Sequence, residues 1–189
     1  MSSGKLLLHP GDHAVDEDPL IETLRRSGFL GAEYHHALAP DSRRWLAGER
    51  FLRLITFLGC SPYLAFKPPA DGSDDFCHIE LDGPHPRPRF HHGRNTRTGQ
   101  CPVCRFRPDD TQALIARAAQ APDAPWTCPR CGATTPLGAL NWRRNAGSGR
   151  LFLIVHSVFP NEAVPNPELL QALQQASGEE WRHFYTLRP

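Results

Sequence analysis

Two short stretches decide how the middle of the chain folds: Cys101-Pro-Val-Cys104 and Cys128-Pro-Arg-Cys131-Gly132. In a Cys-x-x-Cys turn both sulfur atoms point to one side, where they can bind a common ion. Proline after the first cysteine favours the turn, and glycine after the second can adopt the left-handed conformation that the turn needs. Two such turns supply four thiolates, which is the ligand set of a closed tetrahedral zinc site. The sequence therefore predicts one structural Zn²⁺ ion, bound by Cys101, Cys104, Cys128 and Cys131.

The segment from Gln100 to Arg144 resembles the zinc-ribbon superfamily, with rubredoxin-like knuckles, over about a quarter of the chain. The resemblance rests on the two Cys-Pro-x-Cys turns, and the first turn departs from it because Arg105 stands where glycine is common. Between the turns, residues 109–121 are predicted to form a small helix. Two redox-active pairs are the alternative, but a thioredoxin-like pair sits singly at a helix start within a βαβ unit.

The rest of the chain predicts an α/β (α+β) fold: a small mixed sheet with flanking helices, into which the zinc ribbon is inserted. Runs rich in branched and aromatic residues or with alternating polarity predict strands. These strands are expected at 51–58, 63–67, 76–82, 140–144, 151–159 and 181–187, with 151–159 in the centre of the sheet. Helices are expected around Pro19–Gly28, at Ala32–Leu38, from Asp41 or Ser42 to Leu46, and from Pro167 to Gly178.

These elements divide the chain into four parts. Residues 1–82 form a helical lead and the first half of the body, and 145–189 form its second half. Residues 83–100 contain three prolines at alternate positions, which predicts an extended basic arm. Residues 101–144 are the ribbon insertion.

Charge is distributed unevenly along the chain. Between Gly83 and Asn161 there are eleven arginines and three aspartates, a net charge of +8, whereas the whole chain carries +1 and the remainder therefore −7. Zinc bound by four thiolates adds −2 and leaves the middle section near +6. The chain is thus an acidic body with a basic insert.

This basic insert is the candidate binding surface. Arginine forks match phosphate and carboxylate groups, and an aromatic ring can stack on a base. The candidate residues are Arg87, Arg89, Phe90, Arg94, Arg97, Arg105, Arg107, Arg143 and Arg144. The predicted function is a non-catalytic interaction module, with a protein partner favoured narrowly over RNA or DNA. Salt bridges to the acidic body would also account for these arginines, as would a GC-rich genome that favours arginine codons.

No dinucleotide, phosphate-loop, metalloprotease or nucleophile-elbow motif points to an enzyme. A weaker alternative is a zinc-dependent deaminase, because His78-Ile-Glu80 has the His-x-Glu form of that signature. Cys60 and Cys77 leave another option, a second metal site made with His78, with or without His156, although core thiols are the preferred interpretation.

The expected compartment is the cytoplasm, with no membrane partner. The first nine residues lack the apolar stretch of a signal peptide, and the most apolar run, 51–59, contains Arg53 and is too short to span a bilayer. In a reducing compartment six cysteines favour metal ligands and buried thiols over disulfides.

Overall fold

The computed structural model describes residues 4–36, 42–58 and 64–188. In chain order the strands of this part are β1 (Gly4–His9), β2 (Leu30–Glu33), β3 (Arg43–Ala47), β4 (Ile55–Phe57), β5 (His78–Asp82), β6 (Arg89–His92), β7 (Pro125–Thr127), β8 (Thr134–Pro136), β9 (Ala146–Gly149), β10 (Phe152–Val158), β11 (Ala163–Pro165) and β12 (Arg182–Leu187). Its α-helices are α1 (Glu17–Arg26), α2 (Phe51–Leu54), α3 (Thr111–Gln120) and α4 (Pro167–Ser177).

A six-stranded sheet forms the body, in the order β12-β1-β10-β5-β3-β2. The predicted α/β class is confirmed, and so is the central position of β10, the most apolar strand. Every described pairing is antiparallel, so the prediction of a mixed sheet was wrong in strand direction. Three smaller two-stranded sheets pair β4 with β11, β6 with β9 and β7 with β8.

One face of the large sheet packs against helices α1 and α4. The core includes Leu20 and Leu24 of α1, Leu169 and Leu173 of α4, and Leu153 of β10, all with 0% exposure. Local sequence defines both helices as predicted. The Asp16 carboxylate accepts a hydrogen bond from the backbone N–H of Asp18 at the start of α1, and α4 ends at Gly178 with φ of 75°.

The opposite face of the sheet is half apolar and half polar. Its apolar half is a cluster of Leu7, Phe152, Ile154 and Phe184, against which the two-stranded sheet β6–β9 packs closely. A Cβ atom added to Gly147 of β9 would lie 2.5 Å from the Phe184 ring, so only glycine permits this approach. The polar half lies beside it on β3, β5 and β10.

Two predictions for residues 32–58 were wrong, and a third was right only at Ile55–Phe57. The helix predicted at 32–38 overlaps strand β2, and residues 37–41 lie outside the described part. The helix predicted to begin at residue 41 or 42 is replaced by strand β3. The strand predicted at 51–58 is α2 followed by β4. Phe51, Leu54 and Ile55 are buried while the residues between them are exposed, which is helical rather than strand periodicity.

Elsewhere the pairing of distant strands overrides local signals. The expected strand at 63–67 begins at Tyr63, outside the described residues, and 64–67 form no strand. β1, in the predicted lead, was missed because a run of three leucines has no diagnostic period; it is the inner strand between β10 and β12. The strand expected at 140–144 is reduced to a single bridge between Gln100 and Asn141.

No helix in the described ranges is both long enough and apolar enough to cross a lipid bilayer.

Truncating the centre of the sheet should be costly. Leu153→Ala removes a side chain with 0% exposure from the core, and we expect it to lower the free energy of unfolding by about 3 kcal/mol. The matched control is Leu52→Ala, because Leu52 is 59% exposed, and its effect should stay within about 0.5 kcal/mol. Urea denaturation followed by circular dichroism measures both, and equal losses would contradict the assigned core.

Candidate metal centre

The two Cys-x-x-Cys turns have the same backbone structure. In the first, Arg105 N–H donates to the Cys101 carbonyl at 3.0 Å, and Cys101 N–H donates to the Phe106 carbonyl at 2.9 Å. In the second, Gly132 N–H donates to the Cys128 carbonyl at 2.9 Å and Cys128 N–H to the Ala133 carbonyl at 2.9 Å. Equivalent hydrogen bonds at both turns fix each pair of sulfur atoms in the same orientation.

The four sulfur atoms meet at one point between the turns. The Sγ atoms of Cys101 and Cys131 are 3.7 Å apart, those of Cys104 and Cys128 are 3.6 Å apart, and all four lie within 4.8 Å of one another. A tetrahedron with metal–sulfur bonds of about 2.3 Å has sulfur–sulfur edges of about 3.8 Å. The four cysteines can therefore hold a metal ion, as predicted.

The electrostatics of this cluster favour a cation. The backbone N–H of Cys104 lowers the pKa of the Cys101 thiol to about 7. At Cys131 the Ala133 N–H also favours the thiolate, but the three neighbouring sulfur atoms outweigh it and raise the pKa of Cys131 to about 12. Four thiolates this close repel one another, and a divalent cation among them removes that repulsion.

A second apolar core holds the two turns together. It lies between α3 and the loops that flank the cysteines, and Trp142 Nε1–H donates to the Leu137 carbonyl at 3.2 Å. The predicted helix is confirmed as α3, capped by the Asp110 carboxylate, with Leu114 and Ile115 buried. The buried members of this core are Phe90, Cys101, Leu114, Ile115, Ala118, Trp126, Cys128, Leu137, Leu140, Trp142 and Ala146.

The predicted basic arm contacts the rest of the fold along much of its length. Within the predicted extended arm, residues 89–92 form the short strand β6, which pairs with β9. The side-chain amide of Asn95 donates to the Tyr185 carbonyl at 3.0 Å, and its oxygen accepts from Leu187 N–H at 2.8 Å. Phe90 packs against Trp142, with ring centroids 4.8 Å apart, and is 9% exposed. Phe90 therefore belongs to the second core, and its ring is not presented to solvent for stacking.

The other predicted binding residues are on the surface. All eight arginines are exposed: Arg87, Arg89, Arg94, Arg97, Arg105, Arg107, Arg143 and Arg144. Arg143 and Arg144 line a cavity of about 620 Å³ together with Arg182 and His183, at the beginning of β12. Sequence reasoning did not select Arg130, which is also exposed and lies inside the second cysteine turn.

Three of these arginines have left-handed backbone conformations. Arg105, Arg143 and Arg144 have φ of 61°, 55° and 60°, a region that costs a non-glycine residue about 1–2 kcal/mol. Arg105 takes the same conformation as Gly132, whose φ is 73°. The replacement of the common glycine by Arg105 thus leaves the geometry of the turn unchanged and adds backbone strain.

The deaminase arrangement is not formed among the described residues. His78 and Glu80 group with His156, whereas Cys101 and Cys104 group with the other cysteine pair. Cys77 lies in the apolar core of the sheet, where burial raises the pKa of its thiol to about 12. Cys77 belongs to neither group of possible metal ligands, and Cys60 lies outside the described residues.

A buried polar network on the sheet was missed by sequence reasoning. Arg44 of β3 donates two hydrogen bonds to Asp74, at 3.0 and 2.9 Å, and its other terminal nitrogen lies 3.4 Å from Glu80. His156 Nε2 lies 2.8 Å from the Glu80 carboxylate. The sequence suggested that His78 and His156 could share a metal site and that His78 and Glu80 alternate on one strand face. It did not show the participation of Arg44 and Asp74, because these residues come from segments that are distant in sequence.

Comparisons with family models, curated proteins and solved structures found no match to this chain.

Removing a sulfur ligand should release the ion from this centre. We expect Cys101→Ser and Cys131→Ser each to contain one metal ion fewer per chain than the wild type, because three thiolates and a hydroxyl bind far more weakly. Near-ultraviolet circular dichroism should report the accompanying loss of order around Trp126 and Trp142. Cys77→Ala is the control and should keep the wild-type metal content, measured by elemental analysis.

Arg105 and Gly132 occupy equivalent positions in the two cysteine turns, so substitutions at these positions test the cost of the left-handed backbone conformation. Arg105→Gly should raise the free energy of unfolding of the metal-loaded protein by about 1 kcal/mol, since glycine adopts φ of 61° without a steric penalty. Gly132→Ala should lower it by about 1 kcal/mol. A Cβ atom there would meet no other atom within 4 Å, so the loss would come from the backbone alone. Denaturant unfolding with excess metal measures both changes, and shifts of the same sign would contradict the paired geometry.

Proposed function

We propose that the four cysteines bind one structural Zn²⁺ ion and that residues 100–144 form a zinc ribbon. We further propose that the protein is a non-catalytic interaction module, whose ribbon docks onto an acidic surface of a protein partner. Zn²⁺ suits the site because it accepts four thiolates in a tetrahedron without preference for another geometry. Four protein ligands leave no position for a water molecule or substrate, so the role of this ion is to order the ribbon.

The observation that carries the docking proposal is a contrast in ion pairing. In the body, five of the eight arginines pair with carboxylates, as Arg43 does with Glu17 at 2.6 Å. Within the part of the chain that the structure describes, and leaving Arg94 aside, no arginine from Arg87 to Arg150 forms such a pair within 4.0 Å. Direct pairing with the acidic body therefore does not account for this charge, which stays available to an anionic partner.

A protein partner is favoured by an exposed apolar residue within the basic region. Val103, inside the first cysteine turn, is 70% exposed. We call the exposed residues Pro102, Val103, Arg105, Pro129 and Arg130 the knuckle surface. An apolar contact surrounded by arginines is typical of a protein docking site.

Nucleic acid is the second candidate, and the basic insert is the observation that favours it. A cationic surface gains affinity for RNA or DNA by releasing counterions from the phosphates. Two features weigh against it. Phe90 is buried, so its ring is not available for base stacking. Val103, an uncharged apolar residue of the knuckle surface, is 70% exposed.

Co-purification with and without nuclease separates the two candidates. The tagged protein should retain a defined partner protein after nuclease treatment, and the double variant Arg105→Glu/Arg130→Glu should lose it. Arg87→Glu/Arg117→Glu is the matched control, since it makes the same change of charge at exposed arginines outside the knuckle surface. Val103→Ser should also weaken binding to the partner, by about 10-fold.

Fluorescence anisotropy with single-stranded RNA or DNA provides the second arm. Binding that falls steeply with salt, weakens in both double variants and is unchanged in Val103→Ser would support nucleic acid. Retention of the partner protein by Arg105→Glu/Arg130→Glu would contradict the proposed docking surface.

A further inference from the structure

A cluster of three potential metal ligands lies on the sheet, separate from the four cysteines. His78 and Glu80 come from β5 and His156 from the adjacent strand β10. One ligand atom of each, a ring nitrogen or a carboxylate oxygen, lies within 4.8 Å of the other two. The side chains of the two histidines are almost completely buried, with residue exposures of 0% for His78 and 3% for His156.

The hydrogen bonding of His78 leaves one ring nitrogen directed at the cluster without a partner. Its Nδ1 lies 3.0 Å from the Phe76 carbonyl, which can only accept, so Nδ1 carries the proton and Nε2 a lone pair. Nε2 is buried and has no hydrogen-bond partner among the described residues. A buried acceptor without a partner is destabilising, and binding of a ligand would offset that cost. A ring nitrogen held by a backbone carbonyl is also the usual support of a metal-binding histidine.

The other two ligands are already oriented toward each other. His156 Nε2 lies 2.8 Å from a Glu80 oxygen, the geometry of a hydrogen bond whose proton an ion can replace. The His156 and His78 rings are nearly parallel, 13° apart in plane, with centroids at 4.1 Å. When Nε2 binds an ion, its proton moves to Nδ1, so the ring stays neutral and no other group has to change its protonation state.

We propose that His78 Nε2, His156 Nε2 and a carboxylate oxygen of Glu80 form a second metal centre for a divalent transition-metal ion. Two imidazoles and one carboxylate suit Zn²⁺, Fe²⁺ or Co²⁺, and three protein ligands leave coordination positions open. The second centre thus differs in kind from the cysteine centre, because its three protein ligands do not complete a tetrahedron.

The neighbouring charges indicate what that ligand is. Arg44 contacts Glu80 at 3.4 Å and pairs with Asp74, and Lys5 is opposite His156 in the pairing of β1 with β10. The positive charges of Arg44 and Lys5 balance the negative charges of Asp74 and Glu80. A bound divalent ion therefore gives the cluster a net charge of +2. The open positions therefore favour an anionic ligand, such as hydroxide or a small carboxylate, with Arg44 and Lys5 beside it.

Cobalt loading of the full-length chain tests this second centre. After removal of bound metal, the protein is saturated with Co²⁺, freed of unbound ions and analysed for metal content. The wild type should retain two cobalt ions per chain, and His156→Gln and His78→Gln one each. His92→Gln, which changes an exposed histidine outside the cluster, is the matched control and should retain two.

The absorption spectrum assigns each ion to its centre. Cys104→Ser/Cys131→Ser should keep one Co²⁺ without the sulfur-to-cobalt charge-transfer band. Glu80→Gln, a milder change at a partly exposed side chain, should weaken binding of the second ion by more than about 100-fold in chelator competition. A wild type that retains a single cobalt ion, bound through sulfur, would overturn the proposal however the variants fold. So would equal loss of metal from His92→Gln and His156→Gln.

Discussion

The pairing of β10 with β1 on one side and β5 on the other is the constraint on which the rest of the structure depends. This pairing joins β1 to β5, which precedes the cysteine turns, and to β10, which follows them. The side chains on the two faces of β10 have different roles. Leu153 and Val155 face the helices, whereas Phe152, Ile154 and His156 face the opposite side. One strand thus supplies the core of the body, the apolar support for the β6–β9 sheet and a member of the buried polar cluster.

Features encoded by neighbouring residues were predictable from the sequence. The cysteine turns, helix α3 and the capped ends of α1 and α4 depend on contacts within a few positions, so spacing and residue type were sufficient. Pairing between distant strands was not predictable. β1 was missed, the strand at 51–58 became α2 and β4, and Phe90 proved to be a core residue because Trp142 lies against it.

Charged side chains have different environments in the body and around the cysteine turns. In the body, the largely buried Arg44 donates two hydrogen bonds to Asp74. Asp82 is a second carboxylate with close partners. Burial disfavours the charged form of Asp82, but hydrogen bonds from His91 and His85 lower its pKa to about 2. Around the cysteine turns the arginines are exposed instead. The carboxylates of the body thus have close cationic or histidine partners, whereas the arginines around the cysteine turns are exposed to solvent.

The bridge between Gln100 and Asn141 has a consequence for how the chain is assembled. Two backbone hydrogen bonds, of 3.1 and 2.9 Å, join these residues at the point where the polypeptide enters and leaves the cysteine turns. Forty residues can therefore vary in length and content between two fixed points only a strand spacing apart, with little effect on the sheet beneath. Residues 101–140 are in this sense an exchangeable insertion, and the same body could carry a different segment at the same position.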